Sequence, residues 1–249
     1  MDKDYEAKYH NIEENNWWFL GRRDAILKLL SDKNKYLKIL DIGCSGGALL
    51  SDLKKRGFEN LSGLDVSEKA IELCKEKGLG NVFVMDGSNP SFDENSFDII
   101  IASDSLEHIK DDMKSLKNWN KILKPNGELY VFVPAFMYLW SEHDIINHHF
   151  RRYTAIELKS KMERSHFNVI KFTYWNFLMY FPTTIYRLTQ NIKNKLIKTE
   201  RAPQDQLKDF NPSVNSFLIK LIKFENFFFK WMGLPIGVSA YVKGQKSNS

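Results

Sequence analysis

Apolar positions along this chain form short blocks that close on an acid or a glycine, and between the blocks they recur every three or four residues. Leu37-Lys-Ile-Leu-Asp41-Ile-Gly43-Cys-Ser-Gly46-Gly47 is such a block, and Ala-Leu-Leu resumes after it with helical spacing. That pattern describes a strand turning sharply into a helix. Asn60-Leu-Ser-Gly-Leu64-Asp65 reads as a second strand, and Phe167–Tyr174 and Ile236–Lys243 have strand length and β-branched content. Helix signals fall between them. Residues Tyr5 to Ser31 read as one helix; Gly57 ends the helix after the glycine loop, Ser67 caps the next and Gly78 closes it. Thr154-x-x-Glu157 is a capping box that opens a helix to about Arg164. Strands alternating with helices predict an α/β fold, a largely parallel sheet covered on both faces.

The glycine block carries the first chemical signal. Glycines in a strand-to-helix turn leave backbone N–H groups open to a ligand, and a Cβ there is expected to obstruct both the tight turn and the ligand's approach. Asp65 closes the next strand about 20 residues later, where an acid takes ribose hydroxyls. An NAD site fits poorly, because the dinucleotide fingerprint needs glycine where this chain has Ser45 and Ala48.

The pattern resembles motif I of the class I S-adenosylmethionine-dependent methyltransferases, acid-x-Gly-x-Gly-x-Gly, matched at Asp41, Gly43 and Gly47 and departing at Ser45. Asn81-Val-Phe-Val-Met85-Asp86-Gly87 is similar to the family's third strand, whose terminal acid accepts from the adenine amino group. Phe97–Ser103 followed by Leu106-Glu107-His108 resembles the fourth strand and its Leu-Glu-His turn, and Leu123-Lys-Pro125-Asn-Gly127 to Pro134 resembles the fifth. The resemblance implies a Rossmann-like seven-stranded sheet in which the last strand is antiparallel and lies between the fifth and sixth. It implies S-adenosylmethionine as cofactor and S-adenosylhomocysteine as product, held by Asp41, Gly43, Cys44, Gly47, Asp65, Val66, Asp86, Gly87 and the backbone of Ser103. The bland alternatives are a helix-capping role for Asp65 and an ordinary turn for Asp86.

Composition narrows the partners. The chain has 249 residues, of which 43% are hydrophobic, enough for a single sizeable domain. Two cysteines, Cys44 and Cys74, cannot build a disulfide framework, and the charged start is unlike a signal peptide, so a cytoplasmic protein is expected. The net charge of +5 is scattered, which argues against nucleic acid.

His108 is the candidate general base; the alternative is a histidine bonded within its own turn. After the fifth strand comes His143-Asp144-Ile-Ile-Asn-His148-His149-Phe-Arg151-Arg152. This loop is expected to face a small-molecule acceptor through His143, His148, Arg151 and Arg152, with an arginine reading a carboxylate or phosphate. Alternatively Arg151 and Arg152 brace the loop against Asp144 or Glu142. Adjacent His148 and His149 cannot easily point the same way, so no metal is expected. Trp17-Trp18-Phe19 with Arg22-Arg23 resembles the N-terminal lid helix of small-molecule methyltransferases, in which Arg22 would hold the cofactor carboxylate; otherwise this is a helix packing its tryptophans on the core.

The expected organisation is one domain: a lid over 1–31, a cofactor core over 32–175, a helical insertion over 176–234 and a final strand over 235–244. In the insertion, Phe181, Ile185, Leu188, Ile192 and Leu196 share a helix face, as do Phe217, Leu221, Phe224, Phe228 and Trp231, with Arg201–Pro212 as linker. These faces can pack on the domain, wall an acceptor pocket, or lie on a membrane surface beside Lys220, Lys223 and Lys230. The reading is methyl transfer to a small-molecule or lipid- or sugar-linked acceptor. The alternatives are a non-catalytic cofactor-binding regulator and an NAD-type oxidoreductase.

Overall fold

The computed structural model describes residues 12–197 and 210–247. After a helical turn at 12–15, the order is α1 (Trp17–Leu29), β1 (Ile39–Ile42), α2 (Ala48–Lys55), β2 (Leu61–Asp65), α3 (Glu68–Glu76), β3 (Val82–Val84) and β4 (Phe97–Ser103). Then follow α4 (Asp112–Ile122), β5 (Leu123–Pro134), the short α5 (Glu142–Ile146), α6 (Ala155–Glu163), β6 (Phe167–Trp175), α7 (Tyr180–Ile197), α8 (Pro212–Phe229) and β7 (Ser239–Lys246). The strands form one sheet in the order β3-β2-β1-β4-β5-β7-β6. Only β7 is antiparallel, pairing β5 from Glu128↔Gln245 to Pro134↔Ser239 and β6 on its other side.

Parallel strands put their carboxyl ends on one edge, and the chain reverses direction across the sheet between β1 and β4. A crevice opens at such a switch point. The glycine loop after β1, Asp65 after β2 and Ser103 after β4 all lie on that edge. Beneath it, β1 is buried along its whole length, and the interior strands pack Leu40, Ile42, Ile100 and Val131 against Trp119 and Leu116 of α4.

Several expectations shift. The N-terminal helix is interrupted at Asn16, whose side chain accepts from the Trp18 N–H and so starts α1 afresh; residues 5–11 lie outside the described chain. The last strand begins at Ser239 rather than Ile236. Gly237 lies so close to β6 that a Cβ would stand 2.4 Å from the Trp175 carbonyl, and pairing runs on instead through Gly244 and Gln245. Of the expected linker, residues 201–209 lie outside the described chain, and Asn211 caps α8 by accepting from the Ser213 N–H.

The insertion helices are turned opposite to their apolar stripes. Phe181, Ile185, Leu188 and Ile192 are exposed on α7, as are Phe217, Phe224 and Phe228 on α8 and Trp231 beyond it. What α8 buries is Leu218, Ile222, Glu225, Asn226 and Phe229. Ile222 fills the place a side chain at Gly21 would occupy. The Asn226 amide donates to the Gly21 carbonyl and to Asp24 (2.8 and 2.9 Å) and accepts from Trp175 Nε1 (2.8 Å). Glu225 accepts from the Phe177 and Leu178 N–H groups. Polar groups with directional partners outbid the aromatic stripe for the buried face, because leaving them unmade in the interior costs more than leaving a phenyl ring in water.

The glycine loop has the left-handed backbone expected of a tight turn, with φ of +75° at Gly43 and +74° at Gly47. A Cβ on Gly43 would also meet Ser105 Oγ at 2.5 Å, and one on Gly47 would meet Leu79 and Cys74. Packing as well as backbone conformation therefore demands these glycines. Ser45, with φ +48°, accepts the left-handed conformation where the family has glycine. Gly43→Ala is expected to lower the melting temperature by at least about 4 °C, from a left-handed penalty of roughly 1–2 kcal/mol plus the clash with Ser105. Gly43→Ala/Ser105→Ala should recover part of the loss in thermal unfolding, and an unchanged melting temperature in the single variant would contradict the packing account.

Candidate cofactor and acceptor site

Three carboxylates surround the glycine loop. Asp65 accepts from the Ser45 N–H through Oδ2 and the Ser67 N–H through Oδ1, both 3.0 Å, so β2's end is tied to the loop. Glu13, from the turn before α1, accepts from Ser45 Oγ at 2.7 Å. Asp41 is 4% exposed at the end of β1. Burial, then the charges of Glu13 and Asp65, push its carboxyl up to about 8. A crevice that resists ionising its own acid favours a cationic ligand and repels a pyrophosphate.

The other expected cofactor residues are distributed around this loop. Cys44 is buried with its Sγ 4.0 Å from that of Cys74, a packing role. Val66 is 71% exposed beside Asp65, an apolar surface facing solvent. Asp86 is exposed and accepts from the Ser88 N–H and hydroxyl, the ordinary turn named as its alternative. Gly87 packs against Ile42, and its carbonyl accepts from Trp119 Nε1.

Arg22 is 4% exposed. Its guanidinium donates to Ser103 Oγ (3.3 Å) and Ser239 Oγ (2.7 Å) and pairs with Asp104 (3.2 Å). The rings of Trp175, Phe132 and Trp18 lie 4.3, 4.5 and 5.4 Å from its centre. The structure thus brings Arg22 and Ser103 together, with Asp104 already serving as counter-ion.

Beside this junction lies a cavity of about 230 Å³. Trp17 and Trp18 of α1 form one wall, and Glu107 and His108 of the turn after β4 another. The loop after β5 adds His143, His149 and Arg152, and α7 adds Thr183, Tyr186 and Arg187. Of the four expected acceptor residues, His143 and Arg152 line it. His148 is exposed and turned away by its left-handed backbone (φ +55°), so its neighbour His149 points inward. Arg151 pairs with Asp112 (2.9 Å) and donates to the Lys110 carbonyl.

Asp144 organises the loop. Fully buried, it accepts from Arg152 Nε and Nη2 (2.8 and 3.0 Å) and lies 2.9 Å from His149 Nδ1 and 3.6 Å from Arg187. Burial raises its carboxyl, but the His149 bond and the Arg152 charge outweigh that and hold it well below the usual range. Arg152 is therefore a brace against Asp144, one of the two roles the sequence allowed. His143 falls to about 3 through burial and the Arg187 charge. His108 is open to the cleft, yet the walls strip enough water to bring it down to about 4, helped by His149. Both rings are neutral at pH 7. Beside His108 the sequence gives Glu107 no signal of its own. It is fully buried, burial and Asp104 push its carboxyl well up, and neither oxygen has a hydrogen-bond partner among the described residues.

Residues 40–131 match the sequence profile of a methyltransferase-domain family. Over that stretch the chain carries a methyltransferase domain. Its curated relatives include the ubiquinone biosynthesis O-methyltransferases of Coxiella burnetii, 29% identical over 144 residues covering 52% of this chain and 61% of the relative. That of Pelagibacter ubique is 37% identical over 106 residues, covering 41% and 44%. The chain thus spans about three-fifths of the Coxiella relative's length. Among solved structures, an S-adenosylmethionine-dependent methyltransferase from Archaeoglobus fulgidus shares the fold at TM-score 0.59 and 20% identity, covering 96% of this chain and 99% of the other. So does a chain of the Haloferax volcanii complex between the Trm112 activator and a methyltransferase, at TM-score 0.63 and 15% identity, covering 99% and 96%. The matched stretch includes the sheet edge that carries the glycine loop, and it ends before the loop after β5 and the insertion.

Proposed function

We propose that the protein transfers a methyl group from S-adenosylmethionine to a small molecule that enters the cavity from a lipid surface. The observation that carries the cofactor half is the buried, charge-resisting Asp41 between Glu13 and Asp65, a setting matched to a ligand that carries a sulfonium and an ammonium. Asp65 would hold the ribose, the exposed Val66 would flank the adenine with Asp86 at its rim, and Ser103 would offer backbone to the methionyl part. Arg22 would reach the cofactor carboxylate only by sharing it with Asp104. When bound, the cofactor supplies an electrophilic methyl, so the protein's task is alignment and exclusion of water.

The acceptor half is assigned to the cavity. Trp17, Trp18 and Tyr186 give it apolar walls, and α7 closes it from outside, which supports the insertion as a wall. The neutral His108 ring can take up an acceptor's proton, the general-base role, with His143 orienting the acceptor's polar groups. The names of the curated relatives, O-methyltransferases of ubiquinone biosynthesis, lend support to a hydroxyl acceptor of apolar character.

Delivery from a lipid surface rests on the two outward aromatic stripes. Phe224, Phe227, Phe228 and Trp231 cluster edge to face in the open, with Lys220 and Lys223 exposed on the same helix. Lys230 is engaged with Asp32 instead. Among the described residues no helix is long and apolar enough to cross a membrane, so contact would be peripheral.

Binding of a cation to ionised Asp41 requires the acid to lose its proton first. Affinity for S-adenosylhomocysteine, whose ammonium remains, should therefore tighten by up to about tenfold per pH unit from pH 6 to 8 and then level off. Calorimetry on Asp41→Asn should give a flat profile; a flat profile in the unaltered protein would contradict the assignment.

Phe224→Ser/Phe228→Ser should keep the fold and S-adenosylhomocysteine affinity, because neither ring is buried, and should lose most sedimentation with anionic phosphatidylglycerol vesicles. Undiminished vesicle binding would overturn the peripheral-contact reading.

A further inference from the structure

Glu107, His108 and His149 each present one ligand atom to the cavity, and the three atoms lie within 4.8 Å of one another. They come from two segments, the turn after β4 and the loop after β5, so the grouping is a product of the fold. From it we infer a divalent transition-metal site on the cavity wall, against the expectation of a metal-free protein.

Two features set this cluster apart from an accidental one. The first is Glu107, fully buried with both carboxylate oxygens unpartnered among the described residues. A buried carboxyl left this way holds its proton without a hydrogen-bond partner, and a cation that displaced the proton would answer both oxygens. The neighbouring guanidiniums are already answered: Arg22 by Asp104, and Arg152 and Arg187 by Asp144. The second is the orientation of the histidines. The Nδ1 of His149 is bonded to Asp144, and the His108 ring bonds the Asn147 backbone carbonyl. Each therefore has one nitrogen committed to an acceptor, which fixes the tautomer and leaves the other as a lone-pair donor, the arrangement by which outer residues prepare metal-binding imidazoles. The two rings stand edge to face at 4.6 Å.

Two imidazoles and one carboxylate suit zinc, manganese or iron(II) rather than magnesium, which prefers oxygen donors. Three protein donors leave coordination positions open toward the cavity. A hydroxyl bound there would lose its proton to solvent near neutral pH, so His108 would serve as ligand rather than base; this role rests on the methyl-transfer reading, whereas occupancy does not.

The test is titration of the chelator-treated full chain with Zn²⁺ by calorimetry, and with Co²⁺ by its visible absorption. One ion per chain is expected, with affinity reduced more than about tenfold in Glu107→Gln and in His149→Gln, since even outer-residue changes cost 10–100-fold. Glu107→Gln retains a neutral group of the same shape, and unchanged S-adenosylhomocysteine affinity would certify its fold. Absence of Zn²⁺ binding, or equal affinity in the variants, overturns the site. Zn²⁺ binding without S-adenosylhomocysteine binding would uphold the site while removing the methyltransferase reading.

Discussion

The guanidinium of Arg22 is the interaction on which the rest depends. It leaves α1 and is buried where β4 ends and β7 begins, held by Ser103, Asp104 and Ser239 and roofed by Trp18, Phe132 and Trp175. A charge so placed is tolerable only while every partner is present; removing one partner of a buried pair costs about 3–5 kcal/mol. The α1 helix, the glycine-loop edge of the sheet, the antiparallel strand and the insertion therefore meet at one point. Trp175 links that point to α8 through Asn226. Loosening the insertion would be felt at that edge.

The glycine-loop edge of the sheet was legible because its signals are local. A strand, an acid, a glycine turn and a helix occupy a dozen neighbouring positions, and β2 with Asp65 follows at the spacing a parallel crossover imposes. Even there one reason for a glycine lies outside the pattern: Gly43 also yields to Ser105, some sixty positions away, and no local pattern reports such a contact.

The cavity was legible only in fragments, since it is assembled from α1, the turn after β4, the loop after β5 and α7. His143 and Arg152 were found because the loop was recognised; Glu107 and His149 were not, because each stands beside a more conspicuous histidine. Periodicity found the stripes on α7 and α8 but left open which way they face. A stripe shows that a helix has an apolar face, while Asn226, Glu225 and the gap at Gly21 decide which face goes inward.

What remains outward is an aromatic surface beside a cavity whose walls are apolar and whose polar groups converge from two loops. The claim that unites them is methyl transfer to a molecule drawn from lipid. The direct measurement is transfer of radiolabelled methyl from S-adenosylmethionine into a total cell extract, partitioned between organic and aqueous phases. The account predicts label in the organic phase, lost when Thr183→Trp fills the cavity. Label in neither phase, or label that survives Thr183→Trp, would contradict it.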